Sequence, residues 1–261
     1  MTMLHSESAP APRKVVMLGA TRGMGRALAR RLAERGDRVF VLAHDPVDGE
    51  RSACDLTVRG GGPADPFTAG SAHCDLEDPA TFEPALTAAE QALGGFDTVV
   101  VTAARFATQD QLESDPQLLA RLLTVDFTNT VLFCEAARKR LLARGGGTLC
   151  VFSSVAGERG RKPAGLYGAA KAGLSRYLEA LDHKYHGAGL RVITVKPGFV
   201  RTSMTAGLRP PPFAGEPDEV AARVVKAIDR GSPVVYAPVA WGPIMTIIRN
   251  LPRFVMRRVQ F

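Results

Sequence analysis

The sequence predicts a single doubly wound α/β domain with a mostly parallel, seven-stranded sheet flanked by helices on both faces. Three observations predict it. Near-continuous apolar, β-rich runs recur along the chain with helical stretches between them, the order that a parallel sheet covered on both faces produces. The first of these runs ends in a glycine cluster that opens a helix. With 261 residues, 46% hydrophobic and 23% charged, the chain is large enough for one such core and ordinary in composition for a globular domain.

VVMLG (15–19) is the first strand. In the helix after it, Met24, Leu28 and Leu32 share a face at i, i+4 spacing while Arg26, Arg30, Arg31 and Glu34 point elsewhere. Gly36 stops that helix, and RVFVLA (38–43) is the second strand. RGGGPADP (59–66) reads as a loop before a third strand near 70–74, and Pro79 suits the first turn of the next helix. FDTVVVTAA (96–104) is the fourth strand and a long helix fills about 115–143. TLCVFSS (148–154) and LRVITVKPG (190–198) are strands flanking a helix that starts near Tyr167. A helix over about 217–229 and the strand PVVYAP (233–238) complete a domain spanning residues 13–240.

Residues 1–12 read as a flexible leader, without the apolar segment of a secretory signal. Residues 241–261 read as a basic amphipathic helix. Ile244, Ile247, Ile248 and Leu251 form its apolar face, Arg249, Arg253, Arg257 and Arg258 supply charge, and Pro252 interrupts it. Such a tail suits a membrane surface, or packing on the domain or a neighbouring subunit. No apolar run approaches the ~18 residues that span a bilayer. The expected location is therefore cytoplasmic, peripheral to a membrane if the tail binds one.

The formal net charge of +7 favours anionic ligands: a phosphorylated cofactor, a phosphate-bearing substrate or a membrane surface. Nucleic acid is not expected, because the cations are scattered through helices with no basic stripe interleaved with aromatics. Cys54, Cys74, Cys134 and Cys150 lack CxxC spacing and read as reduced, buried thiols. His44, His73, His183 and His186 form no metal-ligand pattern, so no metal is expected.

Two motifs carry chemistry. GATRGMG places Gly19, Gly23 and Gly25 between the first strand and first helix. There Gly19 takes the tight turn, Gly23 admits a pyrophosphate to the backbone and Gly25 permits close helix–strand packing, with free N–H groups facing the anion. Thr21, Arg22 and Met24 border this cofactor loop. The second motif is Ser154, Tyr167 and Lys171. Reducing a ketone by hydride transfer creates an alkoxide that needs a proton, and oxidation needs the reverse. A tyrosine with its usual pKa near 10 is a poor base at neutral pH. A lysine one helical turn away lowers that pKa by stabilising the phenolate.

The GxxxGxG spacing together with Ser154, Tyr167 and Lys171 resembles the short-chain dehydrogenase/reductase family in its single-domain, tyrosine-dependent branch, over about residues 14 to 238. The resemblance implies a Rossmann domain and an NAD(P)-dependent ketone reductase or alcohol dehydrogenase. It assigns Tyr167 as general acid/base, Lys171 as the cation that also holds the nicotinamide ribose, and Ser154 as the group that orients the substrate oxygen. It also implies cofactor contacts from Ala103 after the fourth strand, from Pro197-Gly198, and from Val200 and Thr202, which would bind the nicotinamide carboxamide. Asp75 and Leu76 match its adenine-contacting pair, although an ordinary strand-to-helix turn explains them equally well.

Cofactor choice rests on the end of the second strand, where a carboxylate would repel a 2′-phosphate. Ala43 and then His44 stand there, and Arg22 can reach a 2′-phosphate. NADP(H) is thus favoured, with NAD(H) kept open because Asp45 follows closely. Three departures from the family pattern stand out. Leu18 replaces a threonine and Val101-Thr102-Ala103-Ala104 replaces an Asn-Asn-Ala-Gly turn, so apolar packing would replace a polar strut. Asp126 replaces an asparagine that supports a proton-conducting water, and its charge would partly offset the effect of Lys171 on Tyr167.

The segment 203–216 is the expected substrate loop. It has prolines for stiffness, Gly207 and Gly215 as hinges, Leu208 and Phe213 as an apolar wall, and Arg209 for an anionic group. The second half of the chain is similar to the reductases of decaprenylphosphoryl 2-keto-pentose, which makes a lipid-linked ketosugar or another hydrophobic ketone one candidate substrate. The family pairs its two longest helices between subunits. The apolar and small residues of 115–143 and 167–187, among them Gly168, Ala169, Ala172 and Gly173, therefore point to a homodimer or homotetramer. Two other readings stay open: a sugar-nucleotide epimerase or dehydratase on the same fold, for which little chain remains after residue 200, and a non-catalytic nucleotide sensor.

Overall fold

Alternation along β1 (Lys14–Leu18) sets the layers of the molecule: Val15 and Met17 face one core, Val16 and Leu18 the other. The structure is a computed structural model that describes residues 12–60 and 68–259. The leader, except for its last residue, and most of the Gly/Pro-rich loop lie outside the described residues. After β1 come α1 (Gly23–Glu34), β2 (Arg38–Ala43), α2 (Pro46–Gly60), β3 (Ser71–His73), α3 (Phe82–Leu93) and β4 (Thr98–Val101). The second half adds α4 (Gln109–Ser114), α5 (Pro116–Leu123), α6 (Thr130–Ala143), β5 (Gly147–Phe152), α7 (Gly165–Tyr185), β6 (Leu190–Pro197), α8 (Pro217–Arg230), β7 (Val234–Ala237), α9 (Trp241–Asn250) and α10 (Arg253–Met256).

The seven strands lie in the order β3-β2-β1-β4-β5-β6-β7, and every pairing is parallel. Crossovers on both sides of β1 cover both faces of the sheet. Leu28 and Leu32 of α1 and Val220, Val224 and Ile228 of α8 fill one core. Leu86 of α3, Phe133 of α6 and Leu174 and Leu178 of α7 fill the other. Each such side chain contributes roughly 1.5–3 kcal/mol by leaving water. Because the strand order reverses between β1 and β4, a crevice opens at their carboxyl ends. The glycine loop emerges there.

Some elements differ from expectation. Helix α2 is absent from the sequence reading because its inward face is made of Gly49, Ala53 and Leu56, too small and sparse to register as an apolar stripe. The expected helix over 115–143 is three pieces: α5, a π-helical turn over Thr124–Asn129, and α6. Asp115 starts the first by accepting from the N–H groups of Gln117 and Leu118, at 2.9 and 3.0 Å. The C-terminal segment breaks at Pro252 into α9 and α10 and packs on the domain. Its buried residues are Met245 and Ile248, against Val155 and Tyr236, while Ile247 is 66% exposed and does not belong to the inward face. Cys54 is exposed, unlike the other three cysteines. Among the described residues no helix is long and apolar enough to cross a membrane.

Candidate active site

The glycine loop is held by its neighbours at van der Waals limits. Gly19 and Gly23 adopt φ of +98° and +52°, values that side chains disfavour. A Cβ on Gly19 would stand 2.5 Å from the Ala103 nitrogen, and one on Gly25 would stand 2.1 Å from the Gly19 carbonyl oxygen. Helix α1 begins behind this loop with no side chain capping its first N–H groups, so those donors remain for an anion. Met24 packs half-buried against the core.

Leu18 and Val101 are neighbours in sheet register and both buried, as the paired departure predicts. The polar strut is nonetheless present. Thr102 Oγ1 donates to the Gly19 carbonyl at 2.8 Å and lies 3.2 Å from that of Leu18. The expectation of purely apolar packing is therefore corrected, because the hydroxyl has moved to the first residue past β4. Thr102→Val should cost about 1 kcal/mol of stability and weaken cofactor binding, which thermal melts and a cofactor titration would measure.

Beside the loop lies a cavity of about 290 Å³, bordered by Gly19, Thr21, Ala43, His44, Asp75, Leu76 and Ala103. Asp75 Oδ1 accepts from the Glu77 N–H at 2.9 Å, and the Leu76 carbonyl accepts from Asn129 Nδ2 at 2.7 Å. The π-helical turn is thus tied to the rim of this cavity. Arg22 is largely exposed and pairs with Asp48 at 2.8 Å, a contact that holds the Asp48 carboxyl below its usual range. Asp45 accepts from the N–H groups of Val47 and Asp48 at the start of α2. The shape, the glycine contacts and the free N–H groups fit a dinucleotide with its pyrophosphate on the loop.

Three elements converge on the polar triad. Ser154, two residues past β5, caps a 3-10 turn, Val155–Gly157, with its Oγ accepting from the Ala156 N–H at 3.1 Å. Helix α7 presses on that turn. A Cβ on Gly157 would lie 2.6 Å from the Lys171 carbonyl carbon, and one on Gly168 would lie 2.7 Å from the Ala156 oxygen. Gly168 therefore serves this contact and not a subunit surface. Ser153 Oγ donates to the Lys171 carbonyl at 3.0 Å. Close packing places the Ser154 hydroxyl beside Tyr167, where it favours the phenolate. Phe106 packs edge-on against the Tyr167 ring, 5.3 Å between centroids.

Lys171 is 2% exposed at its side chain and Asp126 is fully buried, with Nζ and Oδ2 3.1 Å apart. Asp126 Oδ1 accepts from the Arg105 N–H at 2.6 Å. Burial alone would drive Lys171 toward neutrality; Asp126 and Tyr167 reverse that and hold its pKa above the usual lysine range. Burial also raises Asp126, against the pull of Lys171 and the Arg105 N–H. Tyr167 is raised, first by burial and further by Asp126, while Lys171 and the Ser154 hydroxyl lower it. The carboxylate thus cancels part of what the ammonium does for the phenol.

At the end of β6, Gly198 N–H donates to the Ala237 carbonyl at 3.0 Å and Pro197 is buried. Val200 bridges to Gly215, which closes the base of the 203–216 loop. A Cβ on Gly215 would meet Pro238 at 2.6 Å, so Gly215 is a clamp and not a hinge. Gly207, at φ +82° with open space around it, retains that capacity. The Val200 carbonyl accepts from Thr205 Oγ1 at 2.7 Å. Thr202 Cγ2 lies 3.3 Å from where a Gly23 Cβ would stand, which brings this loop against the glycine loop. Phe213 is 61% exposed and forms no wall in this conformation. Arg105, Phe106 and Asn129 escaped the sequence reading, and Thr102 was read there only as part of an altered turn, although a hydroxyl directly after an apolar strand was a visible signal.

A short chain dehydrogenase family profile matches residues 13–212. The chain is 32% identical over 245 residues to an uncharacterized oxidoreductase of Mycobacterium tuberculosis, covering 94% of this chain and 96% of that protein. An uncharacterized oxidoreductase of Streptomyces coelicolor is 34% identical over 258 residues, covering 95% and 96%. In fold it is similar to a short-chain dehydrogenase from Sphingobium yanoikuyae in complex with NADPH, at TM-score 0.76 and 23% identity over 91% of this chain and 96% of that one. The glycine loop, the parallel sheet and these matches agree: the chain belongs to the short chain dehydrogenase family, whose members are oxidoreductases that bind a nicotinamide cofactor.

Proposed function

We propose that this protein reduces a ketone to a secondary alcohol, or catalyses the reverse, with NADP(H) as its cofactor. The observation that carries the reading is the buried Lys171–Asp126 pair, with Lys171 Nζ 5.6 Å from the centre of the Tyr167 ring. Burying an ammonium at 2% exposure is costly, and the Asp126 carboxylate at 3.1 Å offsets that cost. A bound nicotinamide supplies or accepts the hydride at the carbonyl carbon. In reduction Ser154 donates a hydrogen bond to the carbonyl oxygen, and Tyr167 delivers its proton to that oxygen as the alkoxide develops. Lys171 steadies the phenolate left behind, and the Asp126–Lys171 pair borders the route by which a proton returns to Tyr167. In oxidation the same proton moves the other way.

Gly19, Thr21 and Gly23 would hold the pyrophosphate while Gly25 keeps α1 close against the loop; Asp75, Leu76 and Ala103 would hold the adenosine end, and Lys171, Pro197, Gly198, Val200 and Thr202 the nicotinamide end. NADP(H) is favoured because no carboxylate closes the end of β2. Asp45 is engaged in starting α2, and Arg22 is free to exchange Asp48 for a 2′-phosphate. Leu123 of α5, Phe127 of the π-helical turn and Leu132 of α6 are exposed apolar side chains, consistent with a homodimer or homotetramer built on this face and α7. The decaprenylphosphoryl 2-keto-pentose reductases remain the subgroup whose pattern the second half shares.

The test is consumption of NADPH against a panel of ketones, apolar, phosphorylated and lipid-linked, with parallel NADH runs. We expect turnover with a subset of them and a higher kcat/KM for NADPH than for NADH. No turnover with any ketone or alcohol, in a protein that binds NADPH, would count against the reading.

A further inference from the structure

After β5, Ser154 and the 3-10 turn, the chain continues as Glu158-Arg159-Gly160-Arg161-Lys162 before α7 begins, and α10 lies against this stretch. Between them lies a cavity of about 480 Å³ lined by Arg159, Arg161, Lys162, Arg253 and Arg257, with Met256 as an apolar wall. Among the described residues no carboxylate lines it. Several arginines elsewhere on this molecule are paired: Arg30 with Asp55, Arg35 with Asp37 and Asp229, Arg140 with Glu83 and Glu90. Among the described residues none of the five cations of this cavity meets an acid.

Two details argue that the cluster is built and not merely scattered. Arg159 donates to the Leu251 carbonyl at 2.7 Å, which pins the α9–α10 junction onto the loop and so assembles both halves of the cavity. Arg161 Nε is buried without a hydrogen-bond partner. Burial alone pulls this guanidinium below the usual arginine range, with no carboxylate to offset it. A buried, unpartnered donor on a cation is costly in the empty protein, and an anion in the cavity that Arg161 lines would offset part of the cost of burying this charge.

We propose that this cavity is an anion site that holds a phosphate or diphosphate group of the substrate. The proposal rests on the reductase reading above and narrows its substrate class to phosphorylated ketones. Guanidinium forks match phosphoryl oxygens in pairs, and several cations together suit more than one negative charge. Position supports the substrate as the source. Arg161 lies six residues before Tyr167, a span of at most about 20 Å fully extended and roughly half that along a 3-10 and helical path. The phosphoryl group would therefore sit several bonds from the carbonyl. Such a group belongs to a soluble sugar-phosphate-like ketone or to a ketone carried on a lipid phosphate; the recognised chemistry is the same.

The experiment is a calorimetric titration of the full chain with inorganic pyrophosphate while NADP⁺ saturates the glycine loop, so that only a second site is read. It is repeated for Arg161→Gln/Arg257→Gln, for the exposed Lys162→Gln, and for Arg161→Lys as the conservative rescue. We expect pyrophosphate affinity to fall at least about tenfold in the double variant and less in Lys162→Gln, with partial recovery in Arg161→Lys. NADP⁺ affinity should stay within about twofold, since these residues lie outside the glycine loop. Pyrophosphate should raise the thermal midpoint of the parent and not of the double variant. Because burial of Arg161 is uncompensated, the double variant should melt no lower than the parent in phosphate-free buffer.

Parallel sedimentation with phosphatidylglycerol and phosphatidylcholine vesicles separates the sources. Retention on the anionic vesicles that the double variant loses supports a lipid-borne phosphate, and pyrophosphate binding without retention supports a soluble one. Parent and double variant binding pyrophosphate equally, or neither pyrophosphate nor anionic vesicles bound by the parent, overturns the site. Because no step needs turnover, failure of the reductase reading would appear separately, as pyrophosphate binding in a protein that consumes no NADPH.

Discussion

Tyr167→Phe should lower kcat by about 10²–10⁴-fold, the range that a positioned acid/base contributes, while NADP(H) affinity changes little. The substitution removes one oxygen and keeps the ring, so the edge-on packing with Phe106 survives and the fold should be unaffected. What disappears is the proton that the developing alkoxide takes. Lys171 then faces Asp126 alone, and neither group replaces the phenol, because both are committed to each other at 3.1 Å. A steady-state assay beside a cofactor titration checks both halves of this expectation. A variant that keeps parental turnover would remove Tyr167 from the chemistry. A variant with no measurable change in biological effect, despite lost turnover, would instead favour the nucleotide-sensor reading.

The second expected result concerns pH. Replacing Asp126 by asparagine should move the pH–rate profile to lower pH in both directions of the reaction. The sign follows from charge. Alcohol oxidation needs the phenolate of Tyr167, ketone reduction needs the phenol, and Asp126 raises the Tyr167 pKa alongside burial. Removing that negative charge lets the phenolate form at lower pH. The rising limb of oxidation and the falling limb of reduction should therefore both shift toward acid. The shift holds while Lys171 stays charged; asparagine withdraws the carboxylate that raises it, but the phenolate becomes its remaining partner. Asparagine can still accept the Arg105 N–H bond, so the turn at Thr124–Asn129 has reason to persist, and a thermal melt verifies this. A role confined to structure would lower rates without displacing either limb. A profile that overlays the parent would show that the carboxylate has no influence on the phenol.

The sequence alone was sufficient where large apolar or chemically distinctive residues mark a short-range pattern. Apolar β-rich runs marked the strands, β2 to the residue. Tyr167 and Lys171 declared themselves by helical spacing, and the glycine loop by its place between a strand and a helix. The helices were legible where large apolar residues repeated, as in α1 and α8, and illegible in α2, where glycine and alanine do the packing. Periodicity likewise assigned Ile247 to the inward face of the C-terminal helix, whereas docking on Val155 and Tyr236 selected Met245.

Only the tertiary structure decided what happens between residues far apart in the chain. It brought Asp126 to Lys171 across 45 positions, set Thr102 beneath Gly19, tied Asn129 to Leu76 and gathered cations from two segments into one cavity. The physical reason is that pattern reports which face of an element is apolar, while ion pairing and hydrogen bonding depend on distances of about 3 Å that packing alone determines. The substitution of asparagine by Asp126 was visible in one dimension; that it neutralises a buried ammonium became evident in three.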